Sequence, residues 1–532
     1  MRRLVAAALL GVALGCAAVP PPPKESQVKE PSLTDVVAAM RSEARALVQK
    51  QSELAWRNWV FGDPIDLAAT YAGHESLFSP ASMAPVRRLR DQTADPVERL
   101  ALDDFRLYLA GEVIGRAVAP LSDQAQNLEA AATFQTPSGI EQPYRELNKL
   151  LANEPSYALR GQLSDAALSV VRQLAPILEE KERRTQALLS QVGFPRYAAF
   201  GAELRGADLD ALSALAGKVL DDTESLYRSA METEVQATLG ISLAGMRRAD
   251  VPRLDRVASL DAYFPADQMM PRLEKTLAGL GLDLPKQRAI RVDDSPLPKK
   301  NPRAVCFPIV VPTDIRLSVK PLGGLPDYEA LFHETGHAEH YANSTVTLWE
   351  LQQLGDGAPT EAYAFVLEDL VGDPRWLEET VGLSGEKLRA QLRGAAVRKL
   401  YMLRRYAGKL RFEIAWHAGA KDPKELYRKE LSRAYAFPVS ESDAERYLVD
   451  HDDFFYSADY FRAWFLAAQI EEKLVQRFGA TWWHDPKAGQ LLVSLWRWGN
   501  QLGVDEVAKQ LGDPGLRTEP LLAKLKSAIA GP

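Results

Sequence analysis

A chain of 532 residues is too long for one ordinary core, so two or more lobes, or one large multilobed unit, are expected. Its 46% hydrophobic and 25% charged residues fit a soluble globular protein; the formal charge of −7, with no basic block, argues against a nucleic-acid partner. The only cysteines are Cys16 and Cys306, too few for a disulfide framework.

The N-terminus, MRRLVAAALLGVALGCAAVPPPPKES, reads as a targeting segment over residues 1–15. Arg2 and Arg3 form a positive n-region, and the apolar run from Leu4 to Leu14 is shorter than the roughly 20 residues that span a bilayer. The stretch ALGC resembles a lipobox, in which the cysteine becomes the lipidated first residue of the mature chain, so Cys16 is the expected anchor. Residues 16–32 are Pro-rich and read as a tether that holds a domain off a membrane. The expected location is the bacterial cell envelope; for a Gram-negative source, Ala17 in place of aspartate points to the outer membrane.

From about Leu33 to residue 300 the pattern is helix after helix. In LSDAALSVVRQLAPIL, Leu163, Ala167, Val170, Val171, Leu174 and Leu178 keep helical spacing, with a kink expected at Pro176. Leu212, Leu215, Val219 and Leu226 form a second stripe, and Gly240 is the expected stop. These stripes are core. The region 301–532 opens differently: in RAVCFPIVVPTDIRLSV, Ile315, Leu317 and Val319 alternate with Arg316 and Ser318, the period of a half-buried strand. Pro308 and Pro312 suggest an edge strand or a bend across Val310 to Val319. Beyond residue 375 helices are expected almost to the end.

Between these parts lies LFHETGHAEH, which holds three of the chain's seven histidines. His333 and His337 are one helical turn apart on one face, the spacing that offers two corners of a tetrahedral zinc site. Glu334 then sits beside the open corner, where it can accept a proton from the attacking water. Composition alone would produce only about 0.006 such HExxH matches in this chain. Pro326 and Asp327 suit the first turn of the helix, and Asn343 and Ser344 its end. His340 lies about 10.5 Å along the axis from His333, too far to share one ion, so a packing or supporting role is expected. The first well-placed glutamate on a new helix is Glu361, just after Pro359; Glu350 and Glu368 are the alternatives for the third ligand.

HETGH with a glutamate 24 residues on resembles the gluzincin group that holds thimet oligopeptidase, angiotensin-converting enzyme and carboxypeptidase Taq, and HETGHAEH is closest to the thimet form. The stretch HDDFFYSADYFRAW is similar to the thimet pattern at His451, Tyr456, Ala458 and Tyr460, and Arg462 is similar to the converting-enzyme version. The resemblance covers roughly residues 300 to 510. It implies a mainly α, two-lobed helical metallopeptidase with a deep substrate channel and a small β-sheet beside the zinc-binding helix. It also implies one zinc ion and an oligopeptide substrate, because a channel excludes folded proteins. Tyr460, with Tyr456 and His451, would stabilise the developing oxyanion, since Ala463 stands where the family has a further tyrosine. A carboxypeptidase or peptidyl-dipeptidase on the same scaffold would need a cation for the substrate carboxylate, for which Arg462 and Lys409 are candidates. A peptide-binding lipoprotein without catalysis is the third reading, and the intact Glu334 argues against it.

Overall fold

Ser32 starts the first long helix. Its hydroxyl accepts the Asp35 N–H at 3.2 Å while the Asp35 carboxylate accepts the Ser32 N–H, a capping box that opens α1 (Leu33–Phe61). The computed structural model describes residues 31–531, so Cys16 and most of the tether lie outside the described residues. Asp95 caps α2 (Pro96–Ala131), and a short hairpin of β1 (Thr133–Gln135) and β2 (Glu141–Pro143) follows. The stripe expected to form one helix across Leu163 to Leu178 is broken at Ala167 into Tyr157–Ala166 and α3 (Leu168–Leu188), with Pro176 inside α3. The next helix, α4 (Leu209–Leu239), stops where expected: Gly240 takes the left-handed φ of 69° that a side chain disfavours.

The β-rich stretch forms a sheet of β3 (Ile290–Asp293), β4 (Val305–Val310) and β5 (Asp314–Ser318) in the order β3-β5-β4. Strand β5 runs parallel to β3 and antiparallel to β4. The expected edge strand is therefore displaced by one: β5 is central, and β3 and β4 are the edges. Pro308 on β4 has no N–H to give a ladder, which an edge tolerates.

Four helices carry the rest of the argument: α5 (Leu325–Ala342), α6 (Ala358–Glu368), α7 (Gly385–His417) and α8 (Ser457–Phe478). Helix occupies 70% of the described residues and strand 4%, so the molecule is mainly α with small sheets. One buried core takes in residues from Val37 to Ile529 and runs across the expected boundary at residue 300. No described helix is long and apolar enough to cross a membrane.

Candidate metal centre

Helix α5 starts from Gly324, whose φ of 91° turns the chain out of the sheet, and Pro326 fits its first turn. The Asp327 carboxylate accepts the backbone N–H groups of Leu322 and Gly323 at 3.0 and 2.9 Å, which fixes the approach. Further along, Gly336 lets α5 and α6 touch at backbone distance: a Cβ there would lie 2.5 Å from Ala364 Cα and 2.8 Å from the Tyr363 carbonyl oxygen. That close approach brings Glu361 to the histidines. His333 Nε2 is 3.4 Å and His337 Nε2 3.7 Å from Glu361 Oε2. Tetrahedral ligands at zinc bond lengths stand about 3.3 Å apart, so these separations fit one ion. His333, His337 and Glu361 each offer a donor atom, all within 4.8 Å of one another.

The hydrogen bonds behind these atoms decide which nitrogens face inward. His333 Nδ1 is 2.8 Å from Glu368 Oε2, so it donates there and turns its Nε2 lone pair toward Glu361. His337 is fixed by a chain of partners. The Gly499 carbonyl is 3.1 Å from His340 Nε2, which must carry the proton. His340 Nδ1 then accepts from the Thr360 hydroxyl at 2.9 Å, and the same hydroxyl oxygen accepts from His337 Nδ1 at 2.9 Å. The His337 Nε2 lone pair is left facing the site. His340, fully buried, thus supports the site instead of ligating.

Glu361 is held through one of its two oxygens. The Tyr456 hydroxyl donates to Oε1 at 2.6 Å, while Oε2 is buried with no hydrogen-bond donor. An orphaned carboxylate oxygen facing two imidazole lone pairs calls for a cation. Burial pulls His333 down, but Glu361 and Glu368 outweigh it and carry the ring up to about 10. A proton there balances the charge that a cation would otherwise supply. Nitrogen and carboxylate donors in this number suit zinc. Of the alternative ligands, Glu350 is paired with Arg41 instead, and Glu368 orients His333.

Glu334 faces a cavity of about 590 Å³ that His333, Tyr460, Tyr406, Phe365, Lys399 and Arg303 help to line. Burial pushes its carboxyl up to about 7, and one oxygen accepts the Cys306 N–H from edge strand β4 at 2.8 Å. Tyr406, on α7, was not among the expected residues; its ring centroid is 5.3 Å from that of Tyr460. Nor was Arg303, whose charge acts on Glu334. Neither has a motif of its own; only the long-range packing of α7 and the sheet brings them here.

Three expectations need correction. Arg462 is 3% exposed and clamped by Asp356 at 2.8 and 2.9 Å and by Asp459 at 2.7 Å, so it has no charge to offer a substrate. Asp356 also caps the start of α6 through the Ala358 N–H, so Arg462 steadies the helix that carries Glu361. Lys409 is likewise buried, 2.7 Å from Asp452. His451 does not face Glu334: its Nε2 lies 3.4 Å from His417 Nε2, beside Trp416. Ala463 is fully buried in the core. No protein-family model matches this chain, and no curated protein matches it either.

Proposed function

We propose that this protein is a zinc-dependent peptidase that hydrolyses oligopeptides in the bacterial cell envelope, of the gluzincin type that its motifs resemble. The observation that carries the reading is the convergence of three donor atoms on one point, with Glu334 beside them at the cavity wall. His333, His337 and Glu361 would hold a zinc ion, and the chemistry it would supply there is Lewis acidity toward a carbonyl oxygen and a water.

Every other part is played by side chains and backbone. Glu334 takes the proton of the attacking water and delivers it to the leaving amine; a carboxyl pushed up to about 7 suits both halves of that transfer. The Cys306 N–H holds one Glu334 oxygen in place and leaves the other for the water. Tyr460, with Tyr406 beside it, lines the cavity from which a hydroxyl reaches the oxygen where negative charge develops. The outer edge of β4 lies against Glu334. Glu334 accepts its Cys306 N–H and the Gln353 amide donates to its Pro308 carbonyl at 2.7 Å, so only the backbone groups around Ala304 and the Cys306 carbonyl are left for an extended peptide to bind as an added strand. A second cavity of about 1290 Å³ shares Pro302, Arg303 and Met402 with the first, which supports a long continuous channel.

Arg303 favours a second reading on the same scaffold. A guanidinium between the two cavities, close enough to act on Glu334, suits the terminal carboxylate of a substrate and hence carboxypeptidase action. Incubating the zinc-loaded protein with peptides blocked and unblocked at the C-terminus, and weighing the products, tests both readings. Internal cleavage of blocked peptides marks an oligopeptidase, and trimming of unblocked ones alone marks a carboxypeptidase. Intact peptides in every tube exclude both.

A further inference from the structure

His451, unused in the mechanism above, belongs to a second cluster that shares no residue with the first. One donor atom from each of Glu182, His417 and His451 lies within 4.8 Å of the others. The three come from distant parts of the chain: Glu182 from α3, His417 from the last residue of α7, and His451 from the loop before α8.

Two features of the pair of imidazoles resist an ordinary explanation. Their Nε2 atoms face each other at 3.4 Å, longer than a normal N–H hydrogen bond and close to the edge of about 3.3 Å between two nitrogens on one tetrahedral ion. The His417 side chain is fully buried, yet its Nδ1 has no hydrogen-bond partner. Glu182 Oε1 is 3.5 Å from His417 Nδ1, so its carboxylate flanks that ring and offers an oxygen within 4.8 Å of a nitrogen on each imidazole, while Asp453 Oδ1, 3.9 Å from His451 Nδ1, is the carboxylate behind the other ring. Carboxylates facing metal-binding imidazoles are a recurring arrangement. The rings are also fixed from the sides, with Tyr197 stacked on His417 at 3.7 Å between centroids and Trp416 edge-on to His451.

We propose that Glu182, His417 and His451 form a second site for a divalent transition metal of the zinc type, separate from the centre at His333. Two imidazoles and a carboxylate are donors that favour zinc over calcium or magnesium. The ion ties α3 and the end of α7 to the loop before α8. That loop holds Phe454 and Phe455 at positive φ (52° and 59°) and leads directly into Tyr456 and Tyr460. The second ion is therefore a clasp that fixes the segment carrying the tyrosines of the first site. This assignment stands whether or not Glu334 acts as a base.

The test is zinc stoichiometry of the full-length chain, stripped with a chelator and dialysed against zinc chloride alone. Wild type should bind about two ions per chain, and His451→Gln and Glu182→Gln about one each. His333→Ala combined with His337→Ala should also retain about one, held at the second cluster. Melting temperatures measured without metal guard against misfolding: the single variants should match wild type there and lose part of the rise that zinc causes. Binding of only one ion by wild type, or an undiminished count in both His451→Gln and Glu182→Gln, would overturn the second site.

Discussion

Tyr456 and Tyr460 stand one helical turn apart but do different work. Tyr456 donates to Glu361, the third donor of the proposed metal site, whereas Tyr460 lines the cavity above it. Tyr460→Phe should therefore lower turnover by about 10²–10³-fold with zinc content unchanged. Tyr456→Phe should instead weaken zinc binding by roughly 10–100-fold, because it frees the second oxygen of Glu361. Metal titration alongside steady-state kinetics separates the two; equal zinc affinity in both variants would contradict this division. Asp104 gives a residue-scale prediction about stability. It is buried on α2 with one oxygen unpartnered, and burial foremost, with Asp103, Glu350 and Asp356 adding repulsion, pushes it up to about 7 from 3.8. The folded state holds this proton more tightly than the unfolded one, so this group's contribution to stability is fully present below about pH 4 and is lost as the pH rises toward 7. Asp104→Asn should flatten that slope and raise stability at pH 8 by roughly 1–3 kcal/mol, as denaturant unfolding at several pH values would show. The convergence of the three donors was legible in the sequence because helical spacing alone puts His333 and His337 together, and Pro359 marks the start of the helix carrying Glu361. Arg462 misled because a charge reads as available until Asp356 and Asp459 are seen to close around it.

At the scale of elements, the centre depends on how closely α5 and α6 meet. Gly336 permits that contact, and Gly336→Ala would force a methyl against Ala364 and the Tyr363 carbonyl. We expect a loss of about 1–3 kcal/mol of stability and weaker zinc binding, since any shift of α6 moves Glu361 from its partners. Thermal melting with and without zinc checks this, and an unchanged melting temperature would show that the helices tolerate separation. Helix existence and type were legible from periodicity, as α4 and its Gly240 stop illustrate. Strand order was not. Alternation identifies β5 as a strand but says nothing of its neighbours, and the pairing with β3 and β4 put it in the middle of the sheet. The consequence is functional, because the strand edge beside Glu334 belongs to β4.

Across the whole molecule, the N-terminal helices serve the site indirectly. Arg205 reaches from that region to the Phe454 carbonyl at 2.8 Å and Asp459 at 2.9 Å, and its guanidinium lies over the Tyr456 ring. No motif announced this, since the N-terminal half carries only helical stripes. The proposed envelope location makes its own prediction: Cys16→Ser should move the protein from the membrane fraction to the soluble fraction, or block its processing. An unlipidated, soluble wild type would argue against the anchor. The central claim, that this is a zinc peptidase with Glu334 as its base, is tested most directly by comparing zinc-loaded wild type with Glu334→Gln on one peptide mixture. Both should hold the same zinc at His333, His337 and Glu361, while the variant cleaves about 10²–10⁴-fold more slowly. Equal rates in the two proteins, or cleavage by wild type that persists after its zinc has been removed, would contradict the account.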